Sequence, residues 1–406
     1  MEQDPAFDFE SYISNHSGRT KITRALFIAK NSSSSNAAAE ARRWALDKLQ
    51  RETLDHELYV KVARDLGTEP DENWVQSTQQ QVKVQAEALE NELKAQKANM
   101  SKENIRLATM RLGDFYLKAG DMNAALRYYV RTRDYCSNPQ HIIDMCLNVI
   151  HVHVEQNNFA QISSYIARAE ATPNVPNREE LRSKLECCRA LCALADRDDY
   201  LSAANALMNV GPELGNTFNH ILSANDIAVY GGLCALASFD REQLRSKVIQ
   251  NSTFKTYLEL EPQIQEMIEA FYASKYTTCL QLLDAFKSNL KLDIYLASHT
   301  DKLVAQIRER AMVQYCQPYS SVELNRMATV FMVPVNQLQK ELAELISRSN
   351  RISARIDSHN KVLQTKKRDQ RTVALKRTLE TGAEYEKSAK ALMLRMKLIK
   401  AQLVVK

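Results

Sequence analysis

The turns between predicted helices recur at a nearly constant interval through the middle of the chain. Their centres lie about 36 to 42 residues apart, which is the spacing of helical-repeat proteins. They occupy residues 120–121, 157–158, 196–198, 238–240 and 274–275. A helix pair of this length cannot bury its apolar face alone, so neighbouring pairs must stack on one another. The sequence therefore predicts an all-α, TPR-like solenoid.

Composition supports a helical protein and excludes several classes of site. The 406 residues include only nine glycines, so loops that cradle phosphate through positive φ angles must be rare. No apolar run approaches the roughly 18 residues needed to cross a bilayer. The first residues are acidic and lack an apolar signal core. We expect an intracellular protein without a membrane partner, whose eight cysteines are reduced.

The segment after residue 300 departs from the repeat and predicts a winged helix. Ser320 and Glu323 have the spacing of a capping box for a helix that carries Met327. Pro334 suits the first turn of a second helix, over residues 335–349. A DNA reader needs unopposed basic residues on that second helix. Here its charges are two of each sign, so we expect no nucleic-acid partner.

A short β-hairpin follows the two helices. Ile352, Ala354 and Ile356 alternate with polar residues, which is the period of a strand with one buried face. Residues 358–360 form the predicted turn, and residues 361–363 form the return strand. A two-stranded ribbon is marginal in water and needs helices or another sheet edge to pack against.

The last predicted helix carries an apolar stripe with spacings of three and four residues, typical of a coiled coil or bundle. The stripe consists of Leu375, Leu379, Gly382, Tyr385, Ala389, Leu392, Met396, Ile399 and Leu403. Either the helix joins a bundle with other chains, or it folds back on its own domain. We favour the bundle, because the helix is long, with few acidic residues.

Charge is unevenly distributed along the chain. Residues 340–406 contain 17 Lys or Arg and 7 Asp or Glu, a net charge of +10 in a chain whose total is +5. An acidic partner surface and a solvated helix face are both compatible with this excess.

The sequence offers little that could support catalysis. His151 and His153 match the His-x-His of certain zinc metalloproteases, but Gln161 and Ser164 stand where the required serine and aspartate would be. Two imidazoles alone cannot hold a catalytic zinc, and residues two apart on a helix face different directions. Cys187, Cys188 and Cys192 lie among leucines, which favours buried packing over metal or redox chemistry. Serine-hydrolase, phosphate-loop and dinucleotide motifs are missing. We expect no catalytic residue, cofactor or metal.

Several stretches across nearly the whole chain resemble one family. They read GRTKI and LFIA within residues 18–29, GDFY at 113–116, RTRDYC at 131–136, PELGN at 212–216, DIAVYGGLCALASFDR at 226–241, ARIDSHNK at 354–361 and DQR at 369–371. The chain resembles subunit 1 of the COP-nine (constitutive photomorphogenesis) signalosome.

The resemblance implies a non-catalytic PCI-domain scaffold. PCI domains associate through their winged-helix hairpins by adding strands at a sheet edge, and the family's last helices enter a shared bundle. The complex deneddylates cullin-RING ubiquitin ligases, and its metalloprotease is a different subunit. The expected neighbours are subunits 2 and 3, with cullin-RING ligases reached through the complex, in cytoplasm and nucleus.

These observations predict four regions and two contact surfaces. The regions are an N-terminal helical part (1–99), TPR-like repeats (100–257), a PCI domain (258–366) and a bundle helix (367–406). The predicted interface residues are Arg355, Asp357, Ser358, His359 and Asn360 in the hairpin, with Leu375, Leu379, Tyr385, Leu392, Met396, Ile399 and Leu403 in the final helix. Two alternatives are a paralogous PCI scaffold subunit of the 26S proteasome lid and a nucleic-acid-binding or translation-initiation PCI protein.

Overall fold

The structure is a computed structural model that describes residues 9–32, 35–173, 175–348, 352–365 and 370–401. The chain folds into two compact units, Met1–Ala311 and Met312–Lys406. Within the described residues, none of the helices combines the length and apolar character required to span a bilayer.

The first unit is a succession of helices joined by short turns. Its helices are α1 (Phe9–Ser14), α2 (Arg19–Asn31), α3 (Ser35–Glu52), α4 (His56–Leu66), α5 (Glu72–Ala98), α6 (Lys102–Ala119), α7 (Met122–Arg131), α8 (Pro139–Glu155), α9 (Phe159–Glu170), α10 (Arg178–Arg197), α11 (Tyr200–Met208), α12 (Ala224–Ser238), α13 (Arg241–Gln243), α14 (Ser252–Leu258), α15 (Pro262–Tyr272), α16 (Tyr276–Leu290) and, reaching past the boundary, α17 (Thr300–Cys316).

Successive helices pack as antiparallel pairs, and the predicted helical-repeat solenoid is confirmed. The turn between α6 and α7 illustrates how the sequence ends one helix and begins the next. Gly120 adopts φ 90° at the end of α6, a conformation that costs glycine little. Asp121 then accepts the backbone N–H of Ala124 at 2.9 Å and caps α7. Local capping therefore positions this hairpin, and stacking of apolar faces supplies most of its stability.

Two adjacent glycines let α12 approach its neighbours closely. A Cβ at Gly231 would lie 2.8 Å from the Phe254 ring, and one at Gly232 would lie 2.4 Å from Cγ2 of Ile264. α12 packs against α14 and α15 at these positions. Gly231 and Gly232 therefore mark the close approach of α14 and α15 to α12.

The Gly232→Ala variant should lower the free energy of unfolding by about 1–2 kcal/mol, because overpacking outweighs the gain in helix propensity. Urea denaturation measures the change. Gly382→Ala is the matched control, because a Cβ there meets nothing within 4 Å and should not destabilise the chain. Equal stability of Gly232→Ala and wild type would show that α15 can move aside.

After the end of α17, the described residues of the second unit form a three-stranded antiparallel sheet and three helices. They are β1 (Ser321–Glu323), α18 (Leu324–Val330), α19 (Val335–Arg348), β2 (Ala354–Asp357), β3 (Val362–Thr365) and α20 (Gln370–Lys400). The strand order is β1-β3-β2. Val322 of β1 pairs with Leu363 of β3, and both side chains are buried. Helices around a small sheet followed by a long helix confirm the predicted winged helix.

The predicted hairpin forms, and β1 adds a third strand that the prediction did not include. One detail of the prediction is wrong. The predicted capping box at Ser320 and Glu323 does not form, and Glu323 precedes α18 without a side-chain capping bond. The Ser320 carbonyl instead accepts the Thr365 N–H at 3.0 Å. The backbone of residues 320–323 therefore pairs with β3, although the sequence pattern predicts the start of a helix there.

Candidate interaction surfaces

The hairpin between β2 and β3 is held in shape by one carboxylate. Oδ1 of Asp357 accepts the backbone N–H groups of His359 at 3.1 Å and Asn360 at 3.2 Å. Its Oδ2 accepts Nδ2 of Asn360 at 2.9 Å. The Asn360 bonds, followed by weaker contributions from His359, hold the pKa of Asp357 below its usual range. Lys361 completes the turn in the left-handed region, with φ 52°.

The predicted hairpin residues lie at the outer edge of the sheet. In the sheet that the described residues form, β2 is an edge strand, and β3 lies between β2 and β1. Arg355, Ser358, His359 and Asn360 are exposed, whereas Asp357 is half-buried beneath the turn it organises. Edge backbone groups can pair with a strand from another chain. The β2 edge can therefore accept a strand from another chain, and the exposed Arg355 lies in β2 itself.

Removing the Asp357 carboxylate should loosen this turn. In Asp357→Ala, the backbone amides of His359 and Asn360 lose their acceptor and should exchange with solvent several-fold faster. Amide exchange followed by NMR or mass spectrometry measures the effect. Ser358→Ala is the control, because its neighbour Asp357 still accepts both amides. Unchanged exchange in Asp357→Ala would show that strand pairing alone holds the turn.

The apolar stripe of the last helix is exposed along α20. Its six large described members are each between 60% and 76% exposed: Leu375, Leu379, Tyr385, Leu392, Met396 and Ile399. Leu403 lies outside the described residues. The other side chains from Arg371 to Lys400 are also exposed, apart from two that are half-buried. Large apolar side chains left in water over such a length indicate a contact surface.

A buried ionic network, absent from the sequence predictions, ties the N-terminal helices to the repeat array. Arg24 in α2 is only 1% exposed. Its Nη2 donates to Asp226 at 2.8 Å, and its Nη1 donates to Asp293 at 3.0 Å. Nε2 of His16 lies 2.9 Å from the same Asp226 carboxylate. Residues more than 200 positions apart are thus joined inside the first unit.

Further hydrogen bonds satisfy the two carboxylates of this network. Tyr12 and Tyr230 donate their hydroxyls to Asp293 at 2.9 Å and 2.7 Å. Asp226 also accepts the Ser223 backbone N–H at 3.1 Å, one of the two hydrogen bonds of the capping box that begins α12. Burial alone would raise the pKa of Asp226, but Arg24 and His16 outweigh it and lower that pKa. Burial alone would lower the pKa of Arg24, but its carboxylate partners outweigh burial and raise that pKa. Arg24 therefore stays charged.

The lowered pKa of Asp226 predicts how stability depends on pH. Its folded pKa lies below the unfolded value of about 3.9, so its contribution is present above that pH and is lost as the pH falls toward the folded pKa. The unfolding free energy of wild type should therefore fall more steeply below about pH 4 than that of Asp226→Asn. Urea denaturation between pH 3 and 6 tests this, with Asp47→Asn as surface control. Parallel curves for wild type and Asp226→Asn would contradict it.

Comparisons with known proteins identify the family. Residues 71–247 match the family model of 26S proteasome subunit RPN7, and residues 274–367 match the PCI domain model. COP9 signalosome complex subunit 1 of Arabidopsis thaliana is 42% identical over 399 residues, which cover 97% of this chain and 90% of the relative. The chain belongs to the COP9 signalosome complex subunit 1 family. Subunit 1b of Drosophila melanogaster is 40% identical over 83% of this chain and 64% of that relative.

Subunits of the 26S proteasome are more distant relatives of this chain. The 26S proteasome non-ATPase regulatory subunit 6 of Dictyostelium discoideum is 22% identical, over 83% of this chain and 88% of the relative. The predicted resemblance to the signalosome family is therefore confirmed, as is the PCI domain at the winged helix. The predicted boundaries at residues 99, 257 and 366 remain predictions.

His151 and His153, which form the His-x-His pattern, lie in separate surroundings. His151 contacts the ring of His220 at a centroid distance of 5.0 Å, whereas His153 contacts Tyr165 at 5.9 Å. Burial, followed by repulsion from His220 and Arg19, lowers the pKa of His151 to about 4. In the described part of the chain, no group of three or more potential ligands could hold a metal ion.

The three clustered cysteines are packed in the core. Cys187, Cys188 and Cys192 form no disulfide, and each is buried. Burial raises the pKa of Cys187 and Cys188, which keeps both protonated and unreactive. The three side chains therefore contribute to helix packing in the core of the protein.

Proposed function

We propose that this chain is a non-catalytic scaffold subunit of the signalosome that deneddylates cullin-RING ubiquitin ligases. It assembles through the winged-helix edge and through α20. The single observation that carries the proposal is the apolar stripe of α20, whose six large described members are at least 60% exposed. Burying one such side chain contributes about 1.5–3 kcal/mol, so covering the stripe favours association strongly.

The surroundings of both surfaces support assembly over catalysis. The β2 edge offers backbone groups for strand addition, and the exposed Arg355 lies beside it. Of the side chains that could suggest an enzyme, His153, Cys187, Cys188 and Cys192 are buried, whereas His151 is half-buried and lies beside the ring of His220. The partners are other signalosome subunits, with subunits 2 and 3 as neighbours and cullin-RING ligases reached through the complex. The protein acts in cytoplasm and nucleus, without a cofactor of its own.

Reconstitution with and without this chain tests the proposal. Omitting it should reduce the mass of the assembled complex and its cullin-deneddylating activity together, whereas the isolated chain should deneddylate nothing. A catalytically inactive metalloprotease subunit is the control, because it should abolish activity without changing the mass. Full activity and full mass without this chain would refute a scaffold role.

The proteasome lid is the second candidate, because one matching family model is that of a proteasome subunit. The difference between 42% and 22% identity favours the signalosome. Mass spectrometry of proteins that co-purify with the tagged chain separates the two. Signalosome subunits should be recovered, and recovery of proteasome lid subunits in their place would reverse the assignment.

A further inference from the structure

The second half of α20 carries another apolar stripe, opposite the first. Ala391, Leu394, Leu398 and Ala401 recur at spacings of three, four and three residues. At 100° per residue, their mean direction lies about 145° around the helix from that of Leu392, Met396 and Ile399. Leu394 is 61% exposed, like the members of the first stripe. This half of the helix therefore presents apolar surface on two sides.

The second stripe stops where the helix reaches its middle. Continued toward the N-terminus with the same spacings, it would pass through Lys387, Glu384, Glu380 and Arg377. All four are charged, and all four are exposed. The N-terminal half of α20 thus has one apolar face, whereas residues 389–401 approach the pattern of a helix surrounded by others.

The polar residues of this segment specify the chemistry of what surrounds it. Of residues 389–401, nine are apolar and the other four are Lys390, Arg395, Lys397 and Lys400. The segment therefore carries four positive charges and no negative one. In helix bundles, residues flanking the apolar seam pair with opposite charges on the neighbouring helix. If a second copy of α20 covered this segment, four positive charges would face four others. The covering helices must therefore be acidic.

We propose that residues 389–401 insert between two acidic amphipathic helices of partner subunits, one on each stripe, whereas residues 375–385 contact a helix on the first stripe only. The inference rests on the proposed function, because it places α20 in an inner position of the bundle that function requires. An inner helix fixes two neighbours at once, so its loss would separate both.

Photo-crosslinking in the reconstituted complex tests the inner position. A photoreactive amino acid is placed at Leu394 on the second stripe, at Met396 on the first stripe, and at Lys387 as control. Positions 394 and 396 should each crosslink efficiently, to two different helices rich in Asp and Glu, and position 387 should react at least several-fold less. Crosslinks from 396 without any from 394 would overturn the second contact. Crosslinks from 394 to another copy of this chain would overturn the proposed partner.

A pair of substitutions distinguishes this inference from the proposed function. Leu394→Gln with Leu398→Gln should reduce co-purification of partner subunits at least about tenfold, because two buried side chains are lost from a contact. Lys387→Gln is the control and should co-purify like wild type. Normal co-purification of the Leu394/Leu398 variant, with loss when the first stripe is altered, would refute only the inner position. Normal co-purification of both variants would refute the assembly role of α20 itself.

Discussion

Arg24→Met is expected to lower the free energy of unfolding by about 3–5 kcal/mol, the largest stability effect that we predict for a single substitution. The variant leaves two carboxylates, Asp226 and Asp293, inside the protein without their shared cation. Both are less than a tenth exposed. Removing one partner of a buried ionic group is far more damaging than removing a surface pair, because the remaining charge cannot be solvated. Urea denaturation followed by circular dichroism measures the loss.

Methionine is the informative replacement, because it keeps an unbranched apolar stem where Arg24 packs. Arg51→Met is the matched control. The Arg51 side chain is 72% exposed and pairs with Asp47 on the surface, so its replacement should change stability by no more than about 0.5 kcal/mol.

Recovery on removing the buried charges separates an ionic effect from a packing effect. Adding Asp226→Asn and Asp293→Asn to Arg24→Met removes both uncompensated carboxylates and should restore part of the lost stability. Similar losses for Arg24→Met and Arg51→Met would contradict the importance of the network.

Leu392→Gln combined with Met396→Gln is expected to remove the chain from its complex without unfolding it. The two side chains are 60% and 62% exposed, so the isolated chain gains little from them and should keep its denaturation midpoint. In the complex they would be covered, and the polar replacements forfeit that burial, at about 1.5–3 kcal/mol for each side chain. Co-purification with tagged partner subunits should therefore fall by at least about tenfold.

Glu384→Gln provides the matched control on the same helix. Glu384 is exposed and lies off the apolar stripe, so its replacement should leave co-purification unchanged. A Leu392/Met396 variant that assembles like wild type would show that the first apolar stripe of α20 is not a contact surface. A variant that unfolds in isolation would show that the stripe is covered within the chain itself.

The sequence predicts the repeat array well because its signals are local. The turn at residues 120–121 is predicted and forms, and the Ser223–Asp226 capping box likewise depends on residues only three positions apart. The close approach at Gly231 and Gly232 could be predicted for a related reason, since glycine in a helix costs stability unless packing requires it.

The failures have equally physical causes. The sequence does not predict the buried network, because Arg24 and Asp226 lie 202 residues apart and no local pattern connects them. β1 has three residues, too few for alternation to separate a strand from the start of a helix. For α20, spacing identified the stripe but could not decide what covers it, and its role as an interface remains a prediction.

The central claim is that α20 joins this chain to other subunits, and a truncation tests it most directly. A chain lacking residues 367–406 is mixed with tagged partner subunits, and its co-purification is compared with that of the full chain. We predict that the truncated chain stays folded, with an unchanged circular dichroism melting transition for the rest of the molecule, but is missing from the purified complex. Co-purification of the truncated chain in normal amount would contradict the account.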